Sequence, residues 1–118
     1  MNQAQVTLDV RRAGSASVID VRGDLTSTAE SALMDAYNQA SMDNTRVIIL
    51  NFTNMEYMNS SGIGLLVTLL IRINQQKQRL FTFGLSDHYQ HIFELTRLND
   101  AIGIYGSEAE ALKAASAK

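Results

Sequence analysis

The hydrophobic pattern of the first half of the chain predicts three strands. Residues 6–10 alternate apolar and polar side chains, as a strand with one buried face does, and residues 17–22 repeat the pattern. We predict that these two segments form a β-hairpin, with a turn over residues 11–17 and an end at Gly23. Residues 46–52 form a mostly apolar run rich in β-branched side chains, which is typical of a central strand covered on both faces.

Apolar residues at helical spacing predict a helix on each side of this central strand. Ser27 and Glu30 stand three residues apart, as the partners of a capping box do, and the turn-forming pair at residues 43–44 closes the helix that follows them. The second helix opens at Ser60 and carries a strongly apolar stretch over residues 63–73. The remaining predicted elements are a polar connection at 53–59, a strand at 79–83, a helix capped by Ser86, a strand at 101–105 and a helix behind a capping box of Ser107 and Glu110.

This order of elements predicts the fold class. Strands that alternate with helices indicate an α/β domain, and we expect one mixed, mostly parallel sheet of about five strands with about four helices and the hairpin at one edge. No linker, repeat or low-complexity segment divides the sequence, so residues 1–118 are predicted to form a single domain. The alanine-rich tail is helix-prone, and we expect residues 115–118 to fray.

Composition and charge exclude several classes of protein. The 118 residues include no cysteine, which excludes a disulfide scaffold, a thiolate metal site and a thiol nucleophile. The formal net charge of −2 argues against a nucleic-acid partner, because such proteins usually carry a basic patch. Residues 1–20 contain charged side chains rather than an apolar leader, and the longest apolar stretch, residues 63–70, is far too short to insert into a membrane. We therefore expect a cytoplasmic protein. The sequence contains no nucleotide-binding loop, so no cofactor is expected, and no metal is expected either.

The densest chemical signal lies at residues 58–64, between the central strand and the second helix. Gly62 and Gly64 each cost a helix roughly 1 kcal/mol relative to alanine, so either a neighbouring backbone packs close to them or another molecule needs access. One interpretation makes Ser60 an exposed hydroxyl that accepts a phosphate, which the helix dipole would tolerate. In the other, Ser60 and Ser61 only cap the helix and the glycines serve packing.

A second turn is expected beside this loop. Asp24 and Thr26 belong to the Gly-Asp-Leu-Thr segment that ends the second strand, and ligands of open α/β sheets favour that end of the sheet. The segment is either a turn with a cap or a loop adjacent to Ser60. We predict that the methionines mainly fill the core, and that three residues of the connection would form a contact patch if exposed. The methionines are Met34, Met42, Met55 and Met58, and the patch is Met55, Tyr57 and Met58.

Other polar residues give weaker signals. Ser60 could form a hydrolase triad with His88 or His91 and with Asp87 or Asp100, but the sequence around Ser60 is not a nucleophile elbow. The two histidines lack a third ligand at metal-site spacing, so we predict surface or half-buried positions for them. A further set of cations is predicted to form a solvated face rather than an anion site. This set is Arg72, Lys77 and Arg79.

Together these segments resemble a known family. Residues 57–64, Tyr-Met-Asn-Ser-Ser-Gly-Ile-Gly, are similar to the Asp-Ser-Ser/Thr-Gly-Leu-Gly loop of STAS domains from bacterial anti-sigma factor antagonists. The preceding strand at 47–52 and the Gly-Asp-Leu turn at 23–25 match the same family. Residues 92–105 and 107–112 resemble its C-terminal third, so the similarity runs nearly end to end and implies a STAS-like fold.

The resemblance implies a phosphorylation switch. In this family the unphosphorylated antagonist binds an anti-sigma factor that is also an ATP-dependent serine kinase, which frees a sigma factor. The kinase phosphorylates the first hydroxyl of the loop, which corresponds to Ser60, and a metal-dependent serine phosphatase removes the phosphate. The domain has no catalysis of its own, and whether it forms a homodimer is left open. The partner-binding residues implied are Asp24, Thr26, Met58, Asn59, Ser60, Ser61, Gly62 and Gly64.

Three positions depart from the family pattern. Asn59 and Thr26 stand where the family usually has aspartate, and Arg97 stands near a position that is often glycine. The first two changes remove negative charge from the surface expected to face the kinase, which can alter partner choice. An alternative function is therefore a STAS scaffold subunit that works without phosphorylation, in a stress-signalling or transporter complex.

Overall fold

One five-stranded sheet organises the protein. The structure is a computed structural model that describes residues 6–117, and its strands are ordered β1-β2-β3-β4-β5, with β1 antiparallel to β2 and the later neighbours parallel. The predicted fold class is confirmed. The elements are β1 (Val6–Ala13), β2 (Ala16–Leu25), a 3₁₀ turn (Ser27–Ala29), α1 (Glu30–Ala40), β3 (Val47–Met58), α2 (Ser60–Gln75), β4 (Arg79–Phe83), α3 (Asp87–Leu95), a second 3₁₀ turn (Leu98–Asp100), β5 (Gly103–Tyr105) and α4 (Glu108–Ser116).

Two predictions about the chain ends reach beyond the described residues. Residues 1–5, part of the segment predicted to lack an apolar leader, lie outside them. So does Lys118, the last residue of the tail expected to fray, whereas α4 continues to Ser116. Within residues 6–117, no helix is long and apolar enough to cross a bilayer.

The hairpin turn is shorter than its polar sequence suggests. A turn over residues 11–17 is wrong, because pairing continues to Ala13 and Ala16 and only two residues remain in the turn. Gly14 has a φ of 64°, a left-handed conformation that glycine adopts readily and that suits a tight hairpin. Arg12 lies in β1, and its guanidinium donates hydrogen bonds to backbone oxygens of Gly14, Met42 and Asp43.

The central strand is longer than predicted. The polar connection at residues 53–59 is wrong, because β3 continues to Met58 and stays paired with β2 through two register shifts. Polar side chains are compatible with a strand wherever its backbone is paired. The extension brings the ends of both strands together, so that Asp24 pairs with Tyr57 and Leu25 with Met58.

Helices cover both faces of the sheet. Ile19, Ile48 and Leu50 belong to the larger hydrophobic cluster, which also contains the buried residues of α1, α2 and α3. Val18 and Ile49 face the opposite side, in a smaller cluster that includes the buried residue of α4. Three methionines fit the predicted core role, since Met58 is buried and Met34 and Met55 pack partly buried against the core, but Met42 is 63% exposed.

The predicted helix caps have mixed outcomes. The box of Ser27 and Glu30 is wrong, because Ser27 begins a 3₁₀ turn and α1 starts without a side-chain cap. Ser86 and Ser107 do cap α3 and α4 by accepting the N–H groups of Tyr89 and Glu110. The second box is only half formed, since the Glu110 carboxylate accepts from the N–H of Gly106 instead of Ser107.

A single arginine fastens the hairpin to the last helix. Arg11 Nε and Nη2 donate to the two Asp20 carboxylate oxygens at 2.7 and 2.9 Å, and Nη1 and Nη2 donate to Glu108 at 3.1 and 2.9 Å. Hydrogen bonds from the Arg11 guanidinium lower the pKa of Asp20 below its ordinary value. Partial burial of the carboxylate acts to raise this pKa, and a hydrogen bond from Asn51 acts to lower it further. The ionised Asp20 carboxylate therefore stabilises the folded state.

This arrangement predicts a pH-dependent loss of stability in acid. Because its folded pKa is depressed, Asp20 stabilises the fold above its unfolded pKa of about 3.9, and the contribution disappears as pH falls through the folded pKa. We expect Asp20→Asn to cost about 1 kcal/mol at neutral pH, a modest value because Arg11 is partly exposed. Thermal melts should show the two proteins converging as the pH falls through the depressed folded pKa of Asp20. The exposed Asp9→Asn is the control, and a pH-independent Asp20→Asn difference would contradict this prediction.

Candidate functional site

The site predicted around Ser60 lies where β3 ends and α2 begins. Asn59 is the N-cap of α2: its side-chain oxygen accepts the Gly62 N–H at 2.9 Å, and its carbonyl oxygen accepts the Ile63 N–H at 3.0 Å. Ser60 and Ser61 are exposed, and neither hydroxyl forms a hydrogen bond with any described residue. The interpretation that these two hydroxyls cap the helix is therefore wrong.

The start of α2 is electrostatically suited to an anion. The helix is 16 residues long, and its first turn contains no acidic residue. The backbone N–H groups of Ser60 and Ser61 are among those a helix leaves without an intrahelical partner, and neither bonds to another described residue. A negative charge at such a position is stabilised by about 0.3–1 kcal/mol, so a phosphate on Ser60 is compatible with the fold.

The two glycines of this turn have different environments. A Cβ on Gly62 would overlap the Leu25 carbonyl oxygen and lie 2.8 Å from Met58 Cγ, so Gly62 permits close packing of α2 against β2. A Cβ on Gly64 would meet no atom within 4 Å, and Gly64 is exposed. Packing therefore explains Gly62, whereas it leaves Gly64 unexplained.

The second predicted segment lies beside this helix start. Asp24 and Thr26 are both half-buried, and the carbonyl of Leu25 between them faces Gly62. The Thr26 hydroxyl is 3.1 Å from the Thr28 hydroxyl, and the Thr26 carbonyl accepts the Ala29 N–H, so Thr26 also supports the 3₁₀ turn. The structure thus brings the two predicted loops to one end of the sheet.

Met58 and Gly62 lie beneath this surface. Met58 is 4% exposed, and its N–H donates to the Tyr89 hydroxyl oxygen at 2.9 Å, which joins the end of β3 to α3. A cavity of about 270 Å³ adjoins Met58 and is mainly apolar in character. Its lining residues are Met58, Asn59, Ser60, Ile63, Ile92 and Thr96.

Sequence reasoning missed the contribution of α3 to this cavity. Ile92 and Thr96 are more than 30 residues beyond Ser60, and only the tertiary packing of α3 brings them to it. Two large apolar side chains are exposed near this cavity: Tyr57 at the end of β3 is 50% exposed, and Leu95 at the end of α3 is 70% exposed. Of the predicted contact patch, only Tyr57 is exposed, since Met55 is half-buried and Met58 is buried.

The residues considered for a hydrolase triad or a metal site do not come together as such a site within the described residues. His91 faces Glu94 at 3.7 Å, and the His88 ring packs edge-on against Tyr89, both on exposed surface as predicted. No hydrogen bond joins Ser60 to either histidine. Residues 6–117 contain no group of three or more side chains arranged to hold a metal ion. The predicted solvated cations Arg72, Lys77 and Arg79 are all exposed.

Arg97, which stands near a position where the family often has glycine, adopts a backbone conformation that favours glycine. Its φ is 64°, in the left-handed region where glycine is favoured, immediately after α3. In this chain a left-handed residue other than glycine therefore ends α3. The Arg97 side chain pairs with Asp100 at 2.8 Å.

Comparisons with known proteins agree with this architecture. The STAS domain family model matches residues 7–111. The anti-sigma-B factor antagonist of Staphylococcus aureus is 34% identical over 93 residues, covering 78% of this chain and 86% of that protein. Among solved structures, an anti-sigma factor antagonist from Mycobacterium paratuberculosis superposes with a TM-score of 0.81 at 18% identity, covering 96% of both chains. The phosphorylated Bacillus cell fate determinant SpoIIAA gives 0.69 at 21% identity, covering 91% of this chain and 97% of that one. The chain belongs to the STAS domain family of anti-sigma factor antagonists.

Proposed function

We propose that this protein is an anti-sigma factor antagonist that binds an anti-sigma factor and is switched off by phosphorylation of Ser60. The observation that carries the proposal is the exposure of the Ser60 hydroxyl and its lack of a hydrogen bond within the described residues. This hydroxyl sits on the first turn of a long helix that lacks acidic residues. Because Asn59 supplies the cap, the serine has no evident structural role.

The proposed contact surface combines the helix start with the neighbouring turn. Ser60, Ser61 and Gly64 are exposed on α2, and Asp24 and Thr26 flank them from the end of β2. Gly64 leaves open space, which permits close approach of a partner backbone. Three other residues of the predicted site act from below, by shaping this surface. They are Met58, Asn59 and Gly62.

The proposed switch adds charge to this surface. A partner kinase transfers the γ-phosphoryl group of ATP to Ser60 Oγ: the new O–P bond forms, the bond to ADP breaks, and the hydroxyl proton passes to a base of the kinase. The phosphate carries about −1.5 to −2 charges, which is large beside a net charge of −2. A metal-dependent serine phosphatase would hydrolyse the ester and restore binding.

The departure at Asn59 is compatible with this switch. An asparagine caps the helix as an aspartate would, and it does so without placing a negative charge next to the phosphate. The domain acts in this proposal as a kinase substrate and binding module in the cytoplasm, without catalysis of its own. A scaffold that works without phosphorylation remains the alternative, and substitution at Ser60 separates the two.

Incubation with the cognate anti-sigma factor kinase and ATP should add one phosphate to the wild-type protein. Intact-mass spectrometry should detect it, and Ser60→Ala should abolish it, because this hydroxyl lies at the accessible end of α2. The matched control is Ser61→Ala, which removes the adjacent exposed hydroxyl and should leave the phosphate in place. A phosphate that persists on the Ser60→Ala protein would overturn the assignment.

A further inference from the structure

The end of the sheet opposite Ser60 carries a concave basic surface, which we call the basic cleft and define by Arg46, Arg72, Lys77 and Arg79. A cavity of about 690 Å³ is lined in part by Arg46, Lys77 and Arg79. An adjoining cavity of about 390 Å³ shares Arg46 and Lys77, and a third of about 420 Å³ continues the depression to Arg72. Arg46 precedes β3, whereas Ser60 follows it, so the two surfaces lie at opposite ends of the strand.

The basic cleft carries positive charge that no side-chain carboxylate among the described residues pairs with. Its four cations are exposed, and none forms an ion pair with a described carboxylate. No aspartate or glutamate lines any of the three cavities. Asp43 lies in the preceding turn but outside the lining. The chain as a whole has a net charge of −2, so this clustering is a local feature of the fold.

The carboxyl ends of helices border these cations. Arg72 lies in the last turn of α2 and Lys77 follows its end, where positive charge is favourable. Arg46 and Arg79 stand at the starts of β3 and β4 and line a cavity together with the last residues of α4, so the carboxyl end of that helix also faces positive charge. The Arg79 guanidinium lies 5.0 Å above the Phe81 ring, and its side-chain N–H groups form no hydrogen bond within residues 6–117.

The backbone at the basic cleft argues against a phosphate ligand. Phosphate sites built from backbone use free N–H groups, but the N–H groups of Arg46, Lys77, Gln78 and Arg79 all donate to carbonyl oxygens of the fold. The helix ends near the cleft present carbonyl oxygens, which accept N–H groups of a peptide. The concave shape also suits a chain better than a flat membrane, and arginine forks match carboxylates in geometry.

We propose that the basic cleft binds an acidic polypeptide segment of a partner protein. The cations are distributed over three adjoining cavities, so carboxylates spaced along an extended chain can each meet one. The exposed Met42 in the neighbouring turn adds an apolar contact, and methionine and arginine are both enriched in protein interfaces. Because the cleft is at the far end of the sheet, this binding is independent of Ser60.

The test uses a fluorescein-labelled octapeptide of alternating glutamate and glycine, titrated with the full chain and followed by fluorescence anisotropy. We expect saturable binding that weakens with added salt, and about tenfold weaker binding for Arg46→Glu and for Lys77→Glu. The matched control is Arg22→Glu, which changes the net charge equally at an exposed position of β2. Far-UV circular dichroism verifies that each variant is folded.

Three outcomes would overturn the proposal. The first is an absence of peptide binding at low ionic strength. The second is an equal loss for Arg22→Glu and the two cleft variants, which would show an effect of net charge alone. The third is an absence of peptide binding combined with cleft-dependent binding of another partner. Sedimentation would detect binding to anionic phospholipid vesicles or to a second copy of the chain, and inorganic phosphate would be tested as a separate ligand.

Discussion

Replacing Gly62 with alanine is expected to lower the free energy of unfolding by about 3 kcal/mol, at the upper end of the usual cost of overpacking. The added Cβ would overlap the Leu25 carbonyl oxygen and lie 2.8 Å from Met58 Cγ. The Met58 side chain can shift, but Leu25 is held by its pairing with Met58 across the β2–β3 ladder. The start of α2 must therefore move away from the sheet. Thermal unfolding by circular dichroism should show a melting temperature lowered by roughly 10 °C.

Gly64→Ala is the matched control for this substitution. It makes the same chemical change two residues later in the same helix, but the new methyl group enters open space. Alanine is the better helix former, so the free energy of unfolding should rise by about 0.5 kcal/mol. Equal losses of stability for the two variants would contradict the packing role of Gly62. A weaker affinity of Gly64→Ala for the anti-sigma factor, despite its higher melting temperature, would support the open space at Gly64 as a partner contact.

Much of the fold follows from local sequence because the strands and helices carry distinct hydrophobic periods. The boundaries of β4 were predicted without error, since Gly84 follows directly on the apolar run 79–83. The outer half of β3 was missed because its polar residues give no local signal of pairing. That segment is extended because β2 continues alongside it, and such pairing depends on tertiary contacts.

The candidate site shows the same division between local and non-local information. The helix start at Ser60 was predicted from the glycines and hydroxyls around it, and an exposed Ser60 hydroxyl was one of the two interpretations that this pattern left open. The identity of the cap was not, because Asn59, Ser60 and Ser61 are all good N-cap residues and the choice depends on where β3 ends. The cavity walls from α3 and the contact between Arg11 and Glu108 join distant segments, so neither has a sequence signature.

Substituting Ser60 with aspartate is expected to weaken binding to the anti-sigma factor by roughly 30-fold to 100-fold, which corresponds to about 2–3 kcal/mol. In the free protein the carboxylate lies at the start of α2, where the helix dipole and the unpaired N–H groups favour it, so the melting temperature should not fall. In the complex the same charge must lose its hydration and face a surface selected for a neutral hydroxyl, which is costly. Isothermal titration calorimetry with the anti-sigma factor measures the difference.

Two further variants make this measurement decisive. Ser31→Asp introduces the same carboxylate at an exposed position of α1 and should leave the affinity unchanged. Ser60→Thr keeps the hydroxyl and adds one methyl group, so it should bind nearly as well as the wild type and still accept phosphate. An affinity for Ser60→Asp equal to that of the wild type would favour the scaffold function over the switch, because a partner that tolerates a carboxylate at this position would also be expected to tolerate a phosphate.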